Sequence, residues 1–334
     1  LKPHDEPNRE PTSATPFSVE NLRGILIPFT TPFASDGSVD TRALRSNIER
    51  WNETGVKGYV ALGSTGERVH LEESECLCVI EAAREAVPAS LSLIVGAGQH
   101  STRATINEVR RTAGAGAQAV LVITPHFYAR AMTQEALAAH YLAVADASPV
   151  PVILYSMPDL TGISIAPETV ARLGEHEQII GIKDSSGDIA NLAETLRVVP
   201  EGFIVLTGNG PMLFAALAAG APGAILAVGC VAARLCLAIF NATREGDYLR
   251  ARQLQQKLTP LARAVTTRYG IGGLKAAMEL AGYEGGAVRA PLRPPSAEAH
   301  GEIGRLLEEA LAMVEGVEGV EERAQGDEFR LAGA

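Results

Sequence analysis

Three observations predict a closed (β/α)₈ barrel, the TIM-type α/β fold, carrying a C-terminal helical appendage. Short runs nearly continuous in Val, Ile, Leu and Ala recur along the chain, as strands buried on both faces should. Longer amphipathic segments lie between them, and Gly and Pro punctuate the joins, as at Gly114-Ala115-Gly116 and Pro149-Val150-Pro151. The runs number eight, the count that closes a parallel sheet on itself. An open doubly wound sheet also alternates strands and helices, but no G-x-G-x-x-G opens a helix after the first run. Gly96-Ala97-Gly98 and Gly208-Asn209-Gly210 read as tight turns at strand ends.

In chain order the expected strands are 25–29, 58–62, 92–96, 119–124, 152–155, 179–183, 203–207 and 224–228. Helical patterns fall at 41–53, 72–86, 102–113, 134–147, 166–173 and 189–199. Beyond the eighth strand, further helices are expected at 231–244, 248–269, 272–281 and 296–314. These boundaries divide the chain into a polar, Pro-rich tail (1–20), the barrel (21–230), a C-terminal helical domain (231–315) and an acidic tail (316–334). The first residues lack the apolar run of a signal peptide and the acid-poor character of a transit peptide. A cytoplasmic setting is expected, or a mitochondrial one if an upstream segment has been removed.

The chain has 334 residues, 46% of them hydrophobic and 20% charged, enough for a large core. A net charge of −10 argues against nucleic acid and anionic membranes as partners. No run approaches the ~20 apolar residues of a spanning helix. The four cysteines, Cys76, Cys78, Cys230 and Cys236, do not form a disulfide framework in a chain this long and are expected reduced. The seven histidines include no H-x-x-x-H pair and none couples with Cys at zinc-like spacing, so no metal is expected. Only His126 falls on an active-face loop, where a single histidine is more often a wall residue.

Chemistry on a barrel sits in the loops after the strands. Polar residues there are Gly63-Ser64-Thr65-Gly66-Glu67 after the second strand and Thr124, His126, Phe127 and Tyr128 after the fourth. Tyr155 ends the fifth strand, Lys183 ends the sixth and precedes Asp184-Ser185-Ser186, and Thr207-Gly208-Asn209 follow the seventh. A lysine at the end of an apolar strand has its stem in low dielectric, which disfavours the ammonium and frees the amine to attack a carbonyl. The competing reading is a lysine that snorkels outward or pairs with Asp184. Tyr155 suits proton transfer during carbinolamine formation, or simply caps the barrel. The hydroxyls and N–H groups of the Gly63–Gly66 turn suit a carboxylate, although such turns are common.

Taken together and in order, Gly63-Ser64-Thr65-Gly66-Glu67, Tyr155-Ser156-Met157-Pro158 and Gly181-Ile182-Lys183-Asp184 resemble the dihydrodipicolinate synthase/N-acetylneuraminate lyase family of class I aldolases. The opening stretch Gly24-Ile25-Leu26-Ile27-Pro28-Phe29-Thr30-Thr31-Pro32-Phe33 belongs to the likeness, which runs from about Leu22 to Leu311. The resemblance implies a carbon–carbon lyase that uses no metal or organic cofactor and assembles as a homotetramer, a dimer of dimers. It implies that Lys183 forms an imine with a 2-oxo acid, that Tyr155 shuttles protons with Ser64, and that Ser64, Thr65 and Gly66 receive the carboxylate. Ser185, Gly208 and Ile225 would line the pocket. The synthase branch carries an arginine two residues after the proline of the fifth-strand motif; here that position is Leu160. Family members also carry a tyrosine two residues after Thr-Pro on the fourth strand, reaching a neighbouring subunit. Here that residue is Phe127, with Tyr128 next: either Tyr128 takes over the relay after a small shift in the loop, or Ser64 and Tyr155 act with water, or the activity is weaker or different. Thr124-Pro125, Lys183-Asp184-Ser185 and Arg268-Tyr269-Gly270-Ile271-Gly272-Gly273-Leu274-Lys275 resemble 4-hydroxy-2-oxoglutarate aldolases, which release pyruvate and glyoxylate.

Overall fold

The computed structural model describes residues 17–312. The expected acidic tail, 316–334, lies wholly outside that range, and so does the expected N-terminal tail except for residues 17–20, which lead into a 3₁₀ turn, Val19–Leu22. Eight parallel strands form one closed barrel in sequence order: β1 Ile25–Pro28, β2 Gly58–Ala61, β3 Ser92–Ala97, β4 Ala119–Ile123, β5 Val152–Ser156, β6 Ile179–Asp184, β7 Ile204–Thr207 and β8 Gly223–Ile225. Closure comes from β1 pairing with β8, Leu26 opposite Ile225. The runs are apolar throughout because both faces of each strand are covered. Leu26, Val60, Ile94, Leu121, Ile153, Leu206 and Ile225 fill the barrel interior. The outward-facing residues join two larger clusters beneath the helices.

The connecting helices are α1 Thr41–Asn52, α2 Glu73–Ala86, α3 Thr102–Gly114, α4 Gln134–Ala147, the single turn α5 Pro158–Thr161, α6 Pro167–Gly174, α7 Ile189–Val198 and α8 Leu213–Ala218. Several begin where a side chain satisfies an orphan N–H: Asp40 caps α1, Ser101 caps α3, Thr133 caps α4 and Asp188 caps α7. After the barrel come α9 Gly229–Arg244, α10 Tyr248–Arg263 and α11 Gly270–Leu280, with another helix from residue 297.

One expected helix is divided. The segment 248–269 runs as α10 to Arg263 and then widens into a π-helical turn, Ala264–Arg268. There Thr266 and Thr267 donate their hydroxyls to the carbonyls of Ala262 and Arg263, and Gly270 takes a left-handed φ of 57°. The widened turn faces the open end of the barrel, where it helps to wall the cavity described next.

Candidate active site

A cavity of about 1110 Å³ opens at the C-terminal ends of the strands, between the strand-end loops and the π-helical turn. Its floor is set by the pairing of β5 with β6, which places Tyr155 opposite Lys183. Alternation along a strand sends both side chains inward and the next residues outward. Lys183 and Tyr155 are buried, and the lysine Nζ stands 4.5 Å from the centre of the tyrosine ring. Asp184 faces the other way: its Oδ1 accepts from the Ser186 N–H at 2.8 Å and its Oδ2 from the Asn191 amide at 3.2 Å. Lys183 therefore neither pairs with Asp184 nor snorkels to solvent. Its amine faces the cavity.

The Gly63–Gly66 turn closes over the second strand as a 3₁₀ turn, Ser64–Gly66. Ser64 Oγ and Tyr155 Oη share a hydrogen bond at 3.1 Å, and Thr65 lines the cavity beside them. Gly66 stands behind the wall, its carbonyl accepting from Thr31 Oγ1 at 2.7 Å. On the far side Gly208 leaves room for the lysine stem. A methyl group on Gly208 would stand 1.9 Å from Ser185 Oγ and 2.6 Å from Lys183 Cε. Ser185 Oγ, Thr124 Oγ1 and Asn209 Oδ1, after β6, β4 and β7, are buried around the cavity with no protein partner. Buried polar atoms are usually satisfied, so three such atoms around one cavity mark a place for a polar ligand. Ile225 closes the apolar floor.

The sequence profile of the Dihydrodipicolinate synthetase family matches residues 21–310. The chain belongs to that family. As a member it is a carbon–carbon lyase of the class I aldolase type. It is 35% identical over 286 residues to the 4-hydroxy-tetrahydrodipicolinate synthase of an Exiguobacterium species, covering 86% of this chain and 97% of the relative. The enzyme of that name from Methanothrix thermoacetophila is 34% identical, covering 86% and 96%. Among solved structures, a monomeric dihydrodipicolinate synthase variant superposes with a TM-score of 0.83 at 30% identity, over 87% of this chain and 97% of that one. A prophage protein of the family from E. coli K12, solved in complex with pyruvate, superposes at 0.80 and 29% identity, over 86% and 98%.

Two family-typical positions differ here. Phe127 and Tyr128 are each 71% exposed, in edge-to-face contact at 5.1 Å on the outer rim. Within one chain Tyr128 does not reach the cavity wall or Lys183. Leu160 sits on α5 at the cavity rim, 59% exposed. His126 is not the only histidine on an active-face loop: His100 follows β3 and joins it at the mouth, their rings edge to face at 4.7 Å, because the loop after β3 opens onto the same end of the barrel. Among the described residues, no group of three or more His, Cys, Asp or Glu is placed to hold a metal. No helix of the described residues is long and apolar enough to cross a membrane. All four cysteines are free, Cys230 and Cys236 buried.

Proposed function

We propose that this chain is a retro-aldol lyase that cleaves a 4-hydroxy-2-oxo acid, such as 4-hydroxy-2-oxoglutarate, to pyruvate and an aldehyde, such as glyoxylate. The observation that carries this reading is the buried Lys183 amine. It faces the cavity without a carboxylate partner, beside a tyrosine whose phenol is already hydrogen-bonded to Ser64.

The Ser64–Thr65 turn receives the C1 carboxylate through its hydroxyls and backbone N–H groups. Lys183 Nζ adds to the C2 carbonyl. The carbinolamine loses water as Tyr155 passes the proton, giving a protonated imine. This iminium is the electron sink. Tyr155 takes the proton of the 4-hydroxyl as the C3–C4 bond breaks, and the bond's electron pair enters the enamine while the aldehyde leaves. Protonation at C3 and hydrolysis of the imine then release pyruvate and restore the lysine. Ser185 Oγ lies next to the lysine stem, where it meets the hydroxyl-bearing part of the substrate, while Gly208 and Ile225 shape the floor.

Lys183→Ala is expected to abolish turnover in a folded protein. Tyr155→Phe should lower kcat by about 10²-fold or more with the melting temperature little changed. An unaffected rate in Tyr155→Phe would remove that residue from the shuttle.

The second reading is 4-hydroxy-tetrahydrodipicolinate synthase, the name that several relatives carry. Leu160 opposes it, because an exposed isobutyl group offers a second substrate's carboxylate no charge-assisted hydrogen bond. N-acetylneuraminate lyase and deoxy-sugar-acid aldolase or dehydratase share the same core chemistry. Assaying pyruvate release from each hydroxy-oxo acid, against condensation of pyruvate with aspartate semialdehyde, separates them. Faster condensation than cleavage would overturn the first reading.

A further inference from the structure

The turn that carries Ser64 and Thr65 ends on Glu67, which holds a left-handed backbone (φ 54°, ψ 30°) and a fully buried carboxylate. A non-glycine residue adopts this conformation at a cost, so something must hold it there. Glu67 Oε1 pairs with Lys275 Nζ at 2.6 Å, and Oε2 accepts the Arg289 backbone N–H at 3.0 Å. Lys275, itself 2% exposed, also donates to the carbonyls of Thr31 at 2.7 Å and Ala287 at 2.5 Å. Two hydrogen bonds to backbone carbonyls and one ion pair therefore hold the ammonium group in place. Thr31 in turn donates its hydroxyl to the Gly66 carbonyl. The Arg289 guanidinium grips Glu75 through two bonds of 2.6 and 2.8 Å and lies 4.2 Å over the Phe33 ring. The last turn of the cradle is thus tied from three directions: the loop after β1, helix α11 and the loop after α11.

We propose that the Glu67–Lys275 ion pair is the device by which the C-terminal helices set the geometry of the Ser64–Thr65 cradle, with Lys275 as a positioning residue for the 2-oxo acid carboxylate. The inference rests on the reading of that turn as the carboxylate site. Lys275 does not line the cavity and acts only through Glu67 and Thr31. Burial pushes its ammonium below the ordinary lysine range while the Glu67 carboxylate pulls the other way, so an unpaired Lys275 or Glu67 would be poorly tolerated.

The variant to use is therefore the double substitution Glu67→Gln/Lys275→Met, which removes both charges, with Glu67→Gln alone, which leaves the buried lysine without its carboxylate, as the harsher form. Trapping of pyruvate by borohydride, titrated with pyruvate, gives the half-saturating concentration and the adduct yield at saturation. The expected result is a half-saturating concentration raised about tenfold or more, with adduct on Lys183 retained at saturation and the circular dichroism unchanged. The shift should shrink in a Thr65→Val background, since both changes act on one cradle. A folded variant with the wild-type half-saturating concentration overturns the proposal. Wild-type protein that forms no adduct overturns the cradle reading instead, so the two failures are distinct. Amide exchange on wild-type protein keeps the test open if both variants fail to fold. Peptides covering 63–67 and 270–280 should then open together as denaturant is raised, and loss of protection in 270–280 with 63–67 still protected overturns the coupling.

Discussion

A methyl group that Gly208 lacks decides whether Lys183 can enter the cavity. The lysine stem, Ser185 Oγ and the Gly208 Cα share one small volume, and an added Cβ would stand 1.9 Å from the hydroxyl and 2.6 Å from Cε. Gly208→Ala is therefore expected to move the amine, and a displacement near 1 Å costs about 10²-fold in a positioned reaction. Steady-state kcat/KM for the preferred hydroxy-oxo acid checks it; an unchanged value would show that the wall yields freely. Ser185→Ala in the same chain removes the closer clash and leaves the one with Lys183, so it should restore only part of the loss. Lys183, Tyr155 and Ser64 were legible in the sequence because each ends or follows an apolar strand, and the barrel puts such residues on one face. The alternative pairing of Lys183 with Asp184 fell to strand alternation, which turns neighbouring residues to opposite faces. The orphan polar atoms on Thr124 and Asn209 were not legible as a group, since whether an atom finds a partner depends on what the fold brings near it.

At the scale of elements, the eight strands were readable because apolar runs buried on both faces leave little ambiguity. The widened turn after α10 was not, because its sequence, Ala264-Val265-Thr266-Thr267-Arg268, keeps a helical pattern and the extra residue leaves no mark in the periodicity. Packing between elements yields a further expectation. His140 on α4 is buried against α3, its Nδ1 sharing a hydrogen bond with Thr102 Oγ1 at 3.0 Å, and burial pushes its pKa from 6.5 down to about 4. The unfolded chain therefore takes up a proton that the folded one refuses. Stability from this residue is present above pH 6.5 and is lost as pH falls toward 4, by about 3 kcal/mol in all. Melting temperatures at pH 7 and pH 4.5 should fall less far apart in His140→Gln than in the parent protein. Equal separations would mean that folding leaves the pKa of His140 unmoved.

Across the whole molecule, the C-terminal helices wall one side of the cavity and anchor the turn on the other, so barrel and appendage make one site. The rim carries Phe127 and Tyr128, exposed together beside His100, an unusual display of aromatic surface. We propose that this rim meets a second chain in a dimer of dimers. Light scattering should give a mass of four chains, and Phe127→Glu with Tyr128→Glu should reduce it; a monomer in the parent protein would contradict this assembly. The central claim is covalent chemistry at one residue, and one measurement reaches it most directly. Protein incubated with pyruvate and borohydride should gain the mass of one reduced pyruvate per chain, mapping to the peptide that contains Lys183. A folded protein that gains no mass with either pyruvate or 4-hydroxy-2-oxoglutarate, or gains it on another lysine, would contradict the account.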